Sequence, residues 1–581
     1  MLADRLEDAE ERARHLALGA KGPDIEIAGQ LDEAAKLAQA RGSPAAAAEL
    51  VELALHITPA HVGRGRVERM LTGAALHFEA GDLARAQELV EQALAEPLGN
   101  PVRASALRLL AQLRSRRGTF AEAARLALEA LSSAPGELAL EVGLHLDLVF
   151  YYTSLADFGG ALPQADAAVE AAKELGLGPL EAEALAVRTV VQFLCGQGLS
   201  SQDLSLALAL EDPLRSTLVL FRARFISSLV QLWTGRAAEA VTRLDRLRAE
   251  ALELGRESDV PLTYLYLVWA HLWGGDVGKA LDEANEARRT AQRLDDRAAT
   301  ALAFSAGALA SAYAGEEEEV RADVDKALQL FAQMGWHSGI IWPSWALGFL
   351  ELSLGHYAAA VAALVPLSDL LGDMSAVDPV IAVFVPDEVE ALIGLGEMEK
   401  AKELLGYFEH RATAVGRDWA LAMAARCRGL VHAHLGELDA ALAAFEESLR
   451  AGEGLDMPFE RARCLLEVGR VQRRRKQKRL AREALVEAAQ AFSSLGTPLW
   501  AARADTELKR VNVRRAGPGL TPTEESIAIL AAEGLSNRDI AQRSFVSVKT
   551  VEANLGRVYR KLGITSRPQL VHALDQVRAR S

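Results

Sequence analysis

Side chains suited to binding a polyanion are concentrated in one short segment near the C-terminal end. This segment carries Ser547, Val548, Lys549, Thr550, Glu552, Ala553, Asn554, Arg557 and Arg560. Lysine and arginine can neutralise DNA phosphates or reach guanine acceptors, asparagine can form a bidentate pair with adenine, and glutamate can accept from cytosine. The combination favours the major groove of DNA. The alternative is a small structural bundle whose charges are only solvated.

Helix start and stop signals place these residues on the third of four predicted helices. The starts are marked by Thr521, Ser536, Ser547 and Ser566, and two of the stops by Gly534 and Gly563. A buried stripe on the third helix is predicted at Val551, Leu555, Val558, Tyr559 and Leu562. The polar residues, including Asn554, are then expected on the exposed face. A short helix, an apolar turn at Phe545 and Val546 and a longer helix predict a helix-turn-helix.

The rest of the chain repeats about every 40 residues. An apolar helical stretch ends at a turn residue, and a small residue then opens a second helix. The twelve turn marks are Gly42, Gly81, Gly118, Ala156, Gly196, Gly235, Gly275, Gly315, Gly355, Gly396, Gly436 and Lys476. Five positions after the mark, ten of the twelve residues are Ala, which allows close helix packing. The pattern predicts an all-α fold, an α-solenoid of about twelve helical hairpins before the four-helix domain, and it resembles tetratricopeptide repeats.

Charge is distributed unevenly along the 581 residues, whose net charge is −15. Residues 470–581 contain 22 Lys and Arg against 10 Asp and Glu, so the remainder of the chain carries −27. A basic end on an acidic body favours nucleic acid as the partner of that end. The three cysteines lie far apart and no apolar stretch is long enough for a membrane span. We therefore expect a cytoplasmic protein without disulfides, a metal site, a secretion signal or a membrane span.

An aromatic cluster in the repeats leaves two interpretations open. Five of the eight tryptophans fall within 77 residues, at Trp269, Trp273, Trp336, Trp342 and Trp345. Aromatic rings fill wide spaces between helices, and this cluster needs no other explanation. The second interpretation is an effector pocket on the concave face of the solenoid, lined by Trp269, Trp273, Trp342 and Trp345.

A basic run in the last predicted hairpin also has two interpretations. It consists of Arg473, Arg474, Arg475, Lys476, Lys478 and Arg479. The run is either a solvated helix surface or an auxiliary contact to DNA phosphates. Its composition does not separate the two, because both require exposed positive charge.

The C-terminal segment LTPTEESIAILAAEGLSNRDIAQRSFVSVKTVEANLGRVYRKLGITSRPQLV resembles the LuxR-type helix-turn-helix domain, notably at EGLSN, VKTVE and RKLG. The repeats resemble the corresponding region of the large ATP-binding LuxR regulators, to which the maltose regulator belongs. The resemblance implies a bacterial transcription regulator, usually an activator, whose repeats sense an effector. It implies that the third helix reads DNA through Lys549, Thr550, Glu552, Ala553, Asn554 and Arg557. It also implies that Asn537 and Arg538 lie near the DNA backbone and that the fourth helix contributes to dimerisation.

Two departures limit what the resemblance implies. Position 554 is Asn where many relatives have His, so the base preference at that position is open. The chain has no G-x-x-x-x-G-K-[ST] phosphate loop, because its Gly-x-Gly sequences at 63–65 and 196–198 do not continue to Gly-Lys-Ser/Thr. We therefore expect either a fragment or a naturally short member, without the ATPase domain, ATP-driven switching or any cofactor.

Together these patterns predict a transcription regulator, preferably an activator, that binds double-stranded DNA as a homodimer. RNA polymerase and a small-molecule or protein effector are its expected further partners, and it associates with the nucleoid when bound to DNA. The predicted domains are a helical segment at 1–30, the solenoid at 31–515 and the DNA-binding domain at 516–581. HExxH and G-x-S-x-G motifs are absent, so we expect no enzyme. The alternative is a protein-interaction scaffold in which DNA binding is secondary.

Overall fold

The computed structural model describes residues 9–20, 22–59, 62–215, 217–294, 296–372, 377–512 and 520–578. Within these ranges the regular elements are all helices, and no strand occurs. This confirms the predicted all-α fold class. Within these ranges, none of the helices combines the length and the hydrophobicity of a membrane span. The predicted boundary between the solenoid and the DNA-binding domain, at residues 515 and 516, lies outside the described residues, and the three domain limits stay predictions.

The described part of the solenoid contains 26 α-helices. The first half comprises α1 (Ala9–Gly19), α2 (Ile25–Ala40), α3 (Pro44–Ile57), α4 (Gly63–Glu79), α5 (Leu83–Ala95), α6 (Asn100–Arg116), α7 (Phe120–Ser133), α8 (Leu138–Ser154), α9 (Phe158–Leu175), α10 (Gly178–Leu194), α11 (Ser201–Leu210), α12 (Ala223–Trp233) and α13 (Ala237–Glu253). The second half comprises α14 (Val260–Gly274), α15 (Val277–Leu294), α16 (Arg297–Ala314), α17 (Glu317–Met334), α18 (Ile341–Leu354), α19 (Tyr357–Leu371), α20 (Val385–Leu395), α21 (Met398–Val415), α22 (Asp418–Leu435), α23 (Leu438–Ala451), α24 (Pro458–Arg474), α25 (Lys478–Ser494) and α26 (Pro498–Asn512).

The hairpins follow the predicted register. All twelve turn marks have positive φ, including the two that are not glycine, Ala156 and Lys476, each at 63°. A left-handed residue ends the first helix of each pair, so α2 to α25 form twelve hairpins, with α26 as an additional helix. The ten alanines five positions after the marks are fully buried: Ala47, Ala86, Ala123, Ala161, Ala240, Ala280, Ala360, Ala401, Ala441 and Ala481. The predicted solenoid of about twelve hairpins is therefore confirmed.

The solenoid is wound so tightly that consecutive superhelical turns touch. Arg411 Nη2 donates to the Gly196 carbonyl at 3.2 Å, across 215 residues of sequence. The Ala238 N–H donates to the Asp456 carboxylate at 3.2 Å, across 218 residues. With about 40 residues per hairpin, one superhelical turn therefore takes between five and six hairpins. Gly118 lies directly against the backbone of Met334, where there is no space for a Cβ atom.

Side chains fill the interior of the coil over its later hairpins. Tyr313 of α16 packs on Phe459 of α24 with ring centroids 4.9 Å apart. The Trp500 indole of α26 donates to Ser353 Oγ of α18 at 2.9 Å. The Trp500–Ser353 contact spans 147 residues, fewer than the 215 and 218 residues between touching turns, so it joins hairpins on different sides of the same superhelical turn. Here the concave face is covered by the protein itself.

A buried ion-pair network joins three consecutive inner helices, α20, α22 and α24. Arg463, only 2% exposed, donates to Asp387 at 2.7 Å and to Glu390 at 2.6 Å. Arg426 donates to the same Glu390 oxygen at 2.7 Å. Burial alone would raise the pKa of Glu390, but the guanidiniums of Arg463 and Arg426 outweigh it and lower the pKa to about 2. Glu390 is therefore ionised at neutral pH, and the network holds the helices through charge-assisted hydrogen bonds.

The C-terminal domain consists of four short helices around a small apolar core. They are α27 (Pro522–Ala532), α28 (Asn537–Arg543), α29 (Val548–Leu562) and α30 (Gln569–Arg578). Thr521 Oγ1 accepts from the Glu524 N–H at 3.3 Å while the Glu524 carboxylate accepts from the Thr521 N–H at 2.9 Å. These two bonds form a capping box at the predicted helix start. Ser536 and Ser547 likewise cap α28 and α29, so the predicted four helices are confirmed.

Candidate nucleic-acid interface

Helix α29 is oriented by its cap and by a buried stripe. Ser547 Oγ accepts from the Thr550 N–H at 3.1 Å. Val551, Leu555 and Val558 are buried in the core with residues of α27, α28 and α30. The opposite face is exposed and carries Val548, Lys549, Thr550, Glu552, Ala553, Gly556, Arg557 and Arg560. An exposed helix with such a face has a diameter that fits a major groove, and its Lys and Arg side chains supply hydrogen-bond donors.

Asn554 does not belong to this exposed face, so the prediction of its exposure is wrong. Its side chain is 7% exposed and lies beside the buried stripe, next to Leu555. The Asn554 amide donates to the Thr550 carbonyl at 2.8 Å. Its Oδ1 accepts from Arg557 Nη1 at 3.3 Å. Both ends of the amide form a hydrogen bond within the helix and the side chain is buried, so pairing with adenine would require it to turn outward.

The two residues predicted at the start of α28 differ in their surroundings. Arg538 is exposed, whereas Asn537 is half-buried and its Oδ1 accepts from Arg567 Nη1 at 3.2 Å. Arg567 also donates to the Ala531 carbonyl at 3.1 Å and to the carbonyl of Leu535. It thereby connects the start of α30 to the end of α27 and the start of α28. The sequence carried no signal for Arg567, because its acceptors are mostly backbone carbonyls more than 30 residues away.

Five of the basic residues of α28 and α29 have no carboxylate partner among the residues that the structure describes. Arg538, Arg543, Lys549, Arg557 and Arg560 are all exposed, and none lies within 4.0 Å of an acidic group among the residues that the structure describes. Lys561 differs, since its Nζ lies 2.5 Å from the Glu524 carboxylate. This hydrogen bond lowers the pKa of Glu524. Lys561 therefore stabilises the domain, while the five exposed cations are available to neutralise an external anion.

Comparison with protein families identifies this domain. Residues 518–574, which include α27, α28 and α29, match the model described as bacterial regulatory proteins of the luxR family. The chain carries a LuxR-type DNA-binding domain. The family is one of regulatory proteins rather than a class of enzymes. The resemblance seen in the sequence is confirmed for this segment, while the likeness of the repeats to the ATP-binding LuxR regulators stays a prediction.

Similar curated proteins match the same segment. The putative HTH-type transcriptional regulators Mb0914c of Mycobacterium bovis and Rv0890c of Mycobacterium tuberculosis are each 52% identical over 63 residues. That match covers 11% of this chain and 7% of each relative. The oxygen regulatory protein NreC of Staphylococcus aureus is 48% identical over 52 residues, which is 9% of this chain and 24% of that protein. The similarity thus spans a small part of each relative.

One solved structure is similar over a longer range. It is the crystal structure of the APC/C hetero-tetramer Cut9-Hcn1, with 16% sequence identity and a TM-score of 0.33. The alignment covers 86% of this chain and 98% of that chain. A TM-score this low supports no argument about fold or function. The hairpin architecture of the solenoid is established by its own turn geometry.

The turn between α28 and α29 of the LuxR-type domain exposes an aromatic ring. Phe545 adopts a φ of 53° and its side chain is 97% exposed. Val546 is half-buried and packs against the domain core. The sequence predicted an apolar turn at these two residues, and only Val546 contributes to the core. Phe545 is the most exposed of the large apolar side chains that the structure describes.

Outside the LuxR-type domain, the four tryptophans of the predicted effector pocket are close together. Trp269 lies 4.8 Å from Trp342 and 5.0 Å from Trp273 between ring centroids, and Trp342 lies 6.2 Å from Trp345. Trp269, Trp273 and Trp345 are buried, and Trp342 is half-buried. The rings pack on one another in the coil interior. Effector binding at this cluster stays a prediction.

The basic run of the last hairpin is largely paired within the solenoid. Arg473 lies 3.1 Å from Glu507, Arg475 lies 2.7 Å from Asp439, and Arg479 lies 2.7 Å from Glu483. Arg474 donates to the Ala433 carbonyl. Lys476 and Lys478 are exposed and form no ion pair with a residue that the structure describes. Three of these arginines, Arg473, Arg474 and Arg475, thus join neighbouring helices, and Arg479 pairs within its own helix, which favours the interpretation as a solenoid surface.

Proposed function

We propose that this protein is a sequence-specific transcription activator that binds double-stranded DNA through its LuxR-type domain. The observation that carries the proposal is the exposed, unpaired basic face of α29. In the proposed complex α29 lies in the major groove, and α28 crosses the DNA backbone. The residues proposed to contact DNA are Asn537, Arg538, Ser547, Val548, Lys549, Thr550, Glu552, Ala553, Arg557 and Arg560.

The proposed division of work follows from chemistry. Lys549 and Arg557 reach either phosphates or guanine acceptors, and Glu552 can accept from cytosine N4. Ala553 and Gly556 present little side-chain bulk, so the helix backbone can approach the base edges. In the proposed complex Arg538, at the start of α28, neutralises phosphate charge. Affinity should fall steeply with salt, because each neutralised phosphate releases condensed counterions.

We further propose that two copies bind paired half-sites and that the bound dimer contacts RNA polymerase in the cytoplasm, at the nucleoid. In this proposal the solenoid receives a small-molecule or protein effector. The tight coil suggests that such an effector acts on the outer surface or by loosening contacts between turns. An effector is not proposed to bind in an open concave groove, because side chains of the later hairpins fill their own concave face.

A protein-interaction scaffold is the second candidate, favoured by the acidic body of the chain. The residues before 470 carry a net charge of −27, which suits basic partners. In that case DNA binding would be weak and independent of sequence. The two candidates therefore differ in whether the chain selects a defined DNA motif.

Selection of genomic fragments by the purified full chain tests the proposal. The wild type is compared with a Lys549→Ala/Arg557→Ala double variant at two salt concentrations. We expect the wild type to enrich a shared, two-fold-symmetric motif, and the double variant to lose it, since both residues lie on the groove-facing surface. Both replaced side chains are exposed, so the thermal unfolding of the two proteins should coincide. Weak, sequence-independent binding that persists in the double variant would favour the scaffold.

A further inference from the structure

We propose that Asn554 is a positioning residue that holds the Arg557 guanidinium in its DNA-facing orientation. The inference rests on the proposed function, because it concerns how α29 recognises a base pair. It assigns to Asn554 a role that differs from direct base contact. Asn554 acts through Arg557, and of these two residues only Arg557 touches DNA.

The hydrogen bonds of Asn554 define the orientation of its amide. The Thr550 carbonyl can only accept, so it faces Nδ2, at 2.8 Å. The Arg557 guanidinium can only donate, so it faces Oδ1, at 3.3 Å. The two partners therefore leave one consistent assignment of the amide oxygen and nitrogen. The burial of Asn554 against the core restricts the side chain to this rotamer.

Arg557 depends on this contact for its order. Among the described residues, Asn554 is its one hydrogen-bond partner, and no acidic group lies within ion-pair distance. The neighbouring Gly556 has open space where a Cβ would be. A long arginine side chain without contacts loses much rotamer freedom when it binds. Holding Nη1 on Asn554 reduces that loss before DNA arrives.

The held orientation leaves the donor edge that base recognition needs. With one Nη1 hydrogen engaged, Nε and Nη2 of Arg557 remain as a planar fork. Such a fork matches the O6 and N7 acceptors of guanine or two phosphate oxygens. Direct reading of adenine by Asn554 would instead require its bond to Thr550 to break and its buried side chain to rotate outward. The geometry therefore favours positioning.

A set of variants separates the two roles. Asn554→Leu has a similar size and no polar atom, whereas Asn554→Asp keeps an oxygen that can accept from Arg557 but lacks the amide donor. Each is made alone and combined with Arg557→Ala. Base preference is measured by selection from randomised DNA with the full chain, followed by binding to the preferred duplex and its single-base variants at one salt concentration. Asn554→Ala replaces the leucine variant if the latter fails to fold.

We expect Asn554→Leu to lower the preference about three- to tenfold at the base pair whose preference Arg557→Ala abolishes, which is the range of one hydrogen bond. Asn554→Asp should keep that preference, although its charge lowers affinity for all sequences alike. In the Arg557→Ala background Asn554→Leu should leave the affinity for the preferred duplex unchanged, whereas in the wild-type background it lowers that affinity. This coupling is the signature of action through Arg557.

Two results would overturn the inference, and they differ from failure of the proposed function. One is an altered preference at a different base pair, which would make Asn554 a direct reader. The other is that Asn554→Leu lowers the affinity for the preferred duplex equally in the wild-type and the Arg557→Ala backgrounds. If the wild type itself enriches no shared motif, the proposed function fails, and the role of Asn554 in recognition fails with it.

Discussion

The solenoid and the LuxR-type domain use arginine in opposite ways. In the solenoid, Arg426 and Arg463 are buried and bonded to carboxylates on other helices. In the LuxR-type domain, Arg538 and Arg557 are exposed and have no acidic partner among the described residues. The same side chain therefore stabilises one region and remains available for binding in the other. Whether an arginine stabilises the fold or is free to bind a ligand therefore depends on the groups around it, and not on the amino-acid composition of its region.

Of the substitutions proposed here, removal of a buried charge should lower the free energy of unfolding of the solenoid most. Arg463→Met leaves Asp387 and Glu390 buried with part of their compensation gone, which should destabilise by about 3–5 kcal/mol. The measurement is urea unfolding followed by tryptophan fluorescence. All eight tryptophans lie between residues 233 and 500, so the signal comes from the solenoid alone.

Arg461→Met on the same helix is the matched control. Arg461 pairs with Glu487 at 2.9 Å, but the two side chains are 56% and 54% exposed. Such a surface pair is worth about 0–1 kcal/mol, so this variant should unfold close to the wild type. Equal losses in the two variants would mean that burial of the network contributes nothing specific.

Contact between superhelical turns should have a smaller, separable effect. Gly118→Ala places a Cβ atom against the Met334 backbone at a φ of 88°, whereas Gly81→Ala meets open space at a φ of 85°. Both variants carry the cost of a left-handed alanine, about 1–2 kcal/mol. Gly118→Ala should lose roughly a further 1–3 kcal/mol in the same fluorescence assay, because the adjacent turn must shift. Similar midpoints for the two variants would contradict tight winding between these turns.

Local chemistry was sufficient to predict the hairpins and the four C-terminal helices. The period alone marked Ala156 and Lys476 as turn residues, and both have positive φ although neither is glycine. The capping box at Thr521 follows from residues three positions apart. Signals of this kind lie within one or two helical turns, where residue spacing determines the contacts.

The features that the sequence did not predict depend on contacts between distant residues or on the direction in which a side chain points around the helix axis. Winding of the coil brings Gly196 and Arg411 together across 215 residues, and no periodic pattern encodes that distance. Asn554 was expected to be exposed because its type suits DNA, yet its position beside Leu555 turns it toward the core. Residue type alone was therefore a poor guide to which polar side chains of α29 face outward.

The smallest expected effect is a change in the salt dependence of DNA affinity, and it tests whether an exposed, unpaired lysine is sufficient for contact with DNA. Lys549 and Lys478 are both exposed without an ion pair among the described residues, but only Lys549 lies on the face of α29 that we propose to enter the groove. Lys549→Ala should lower the slope of log affinity against log salt by about 1 if it contacts a phosphate. Lys478→Ala should leave the slope unchanged, and both proteins should unfold like the wild type. A lowered slope in Lys478→Ala would place the last hairpin in the DNA interface. Arginine and lysine residues of the solenoid would then also bind DNA, and the contrast between the two regions would not hold for this hairpin.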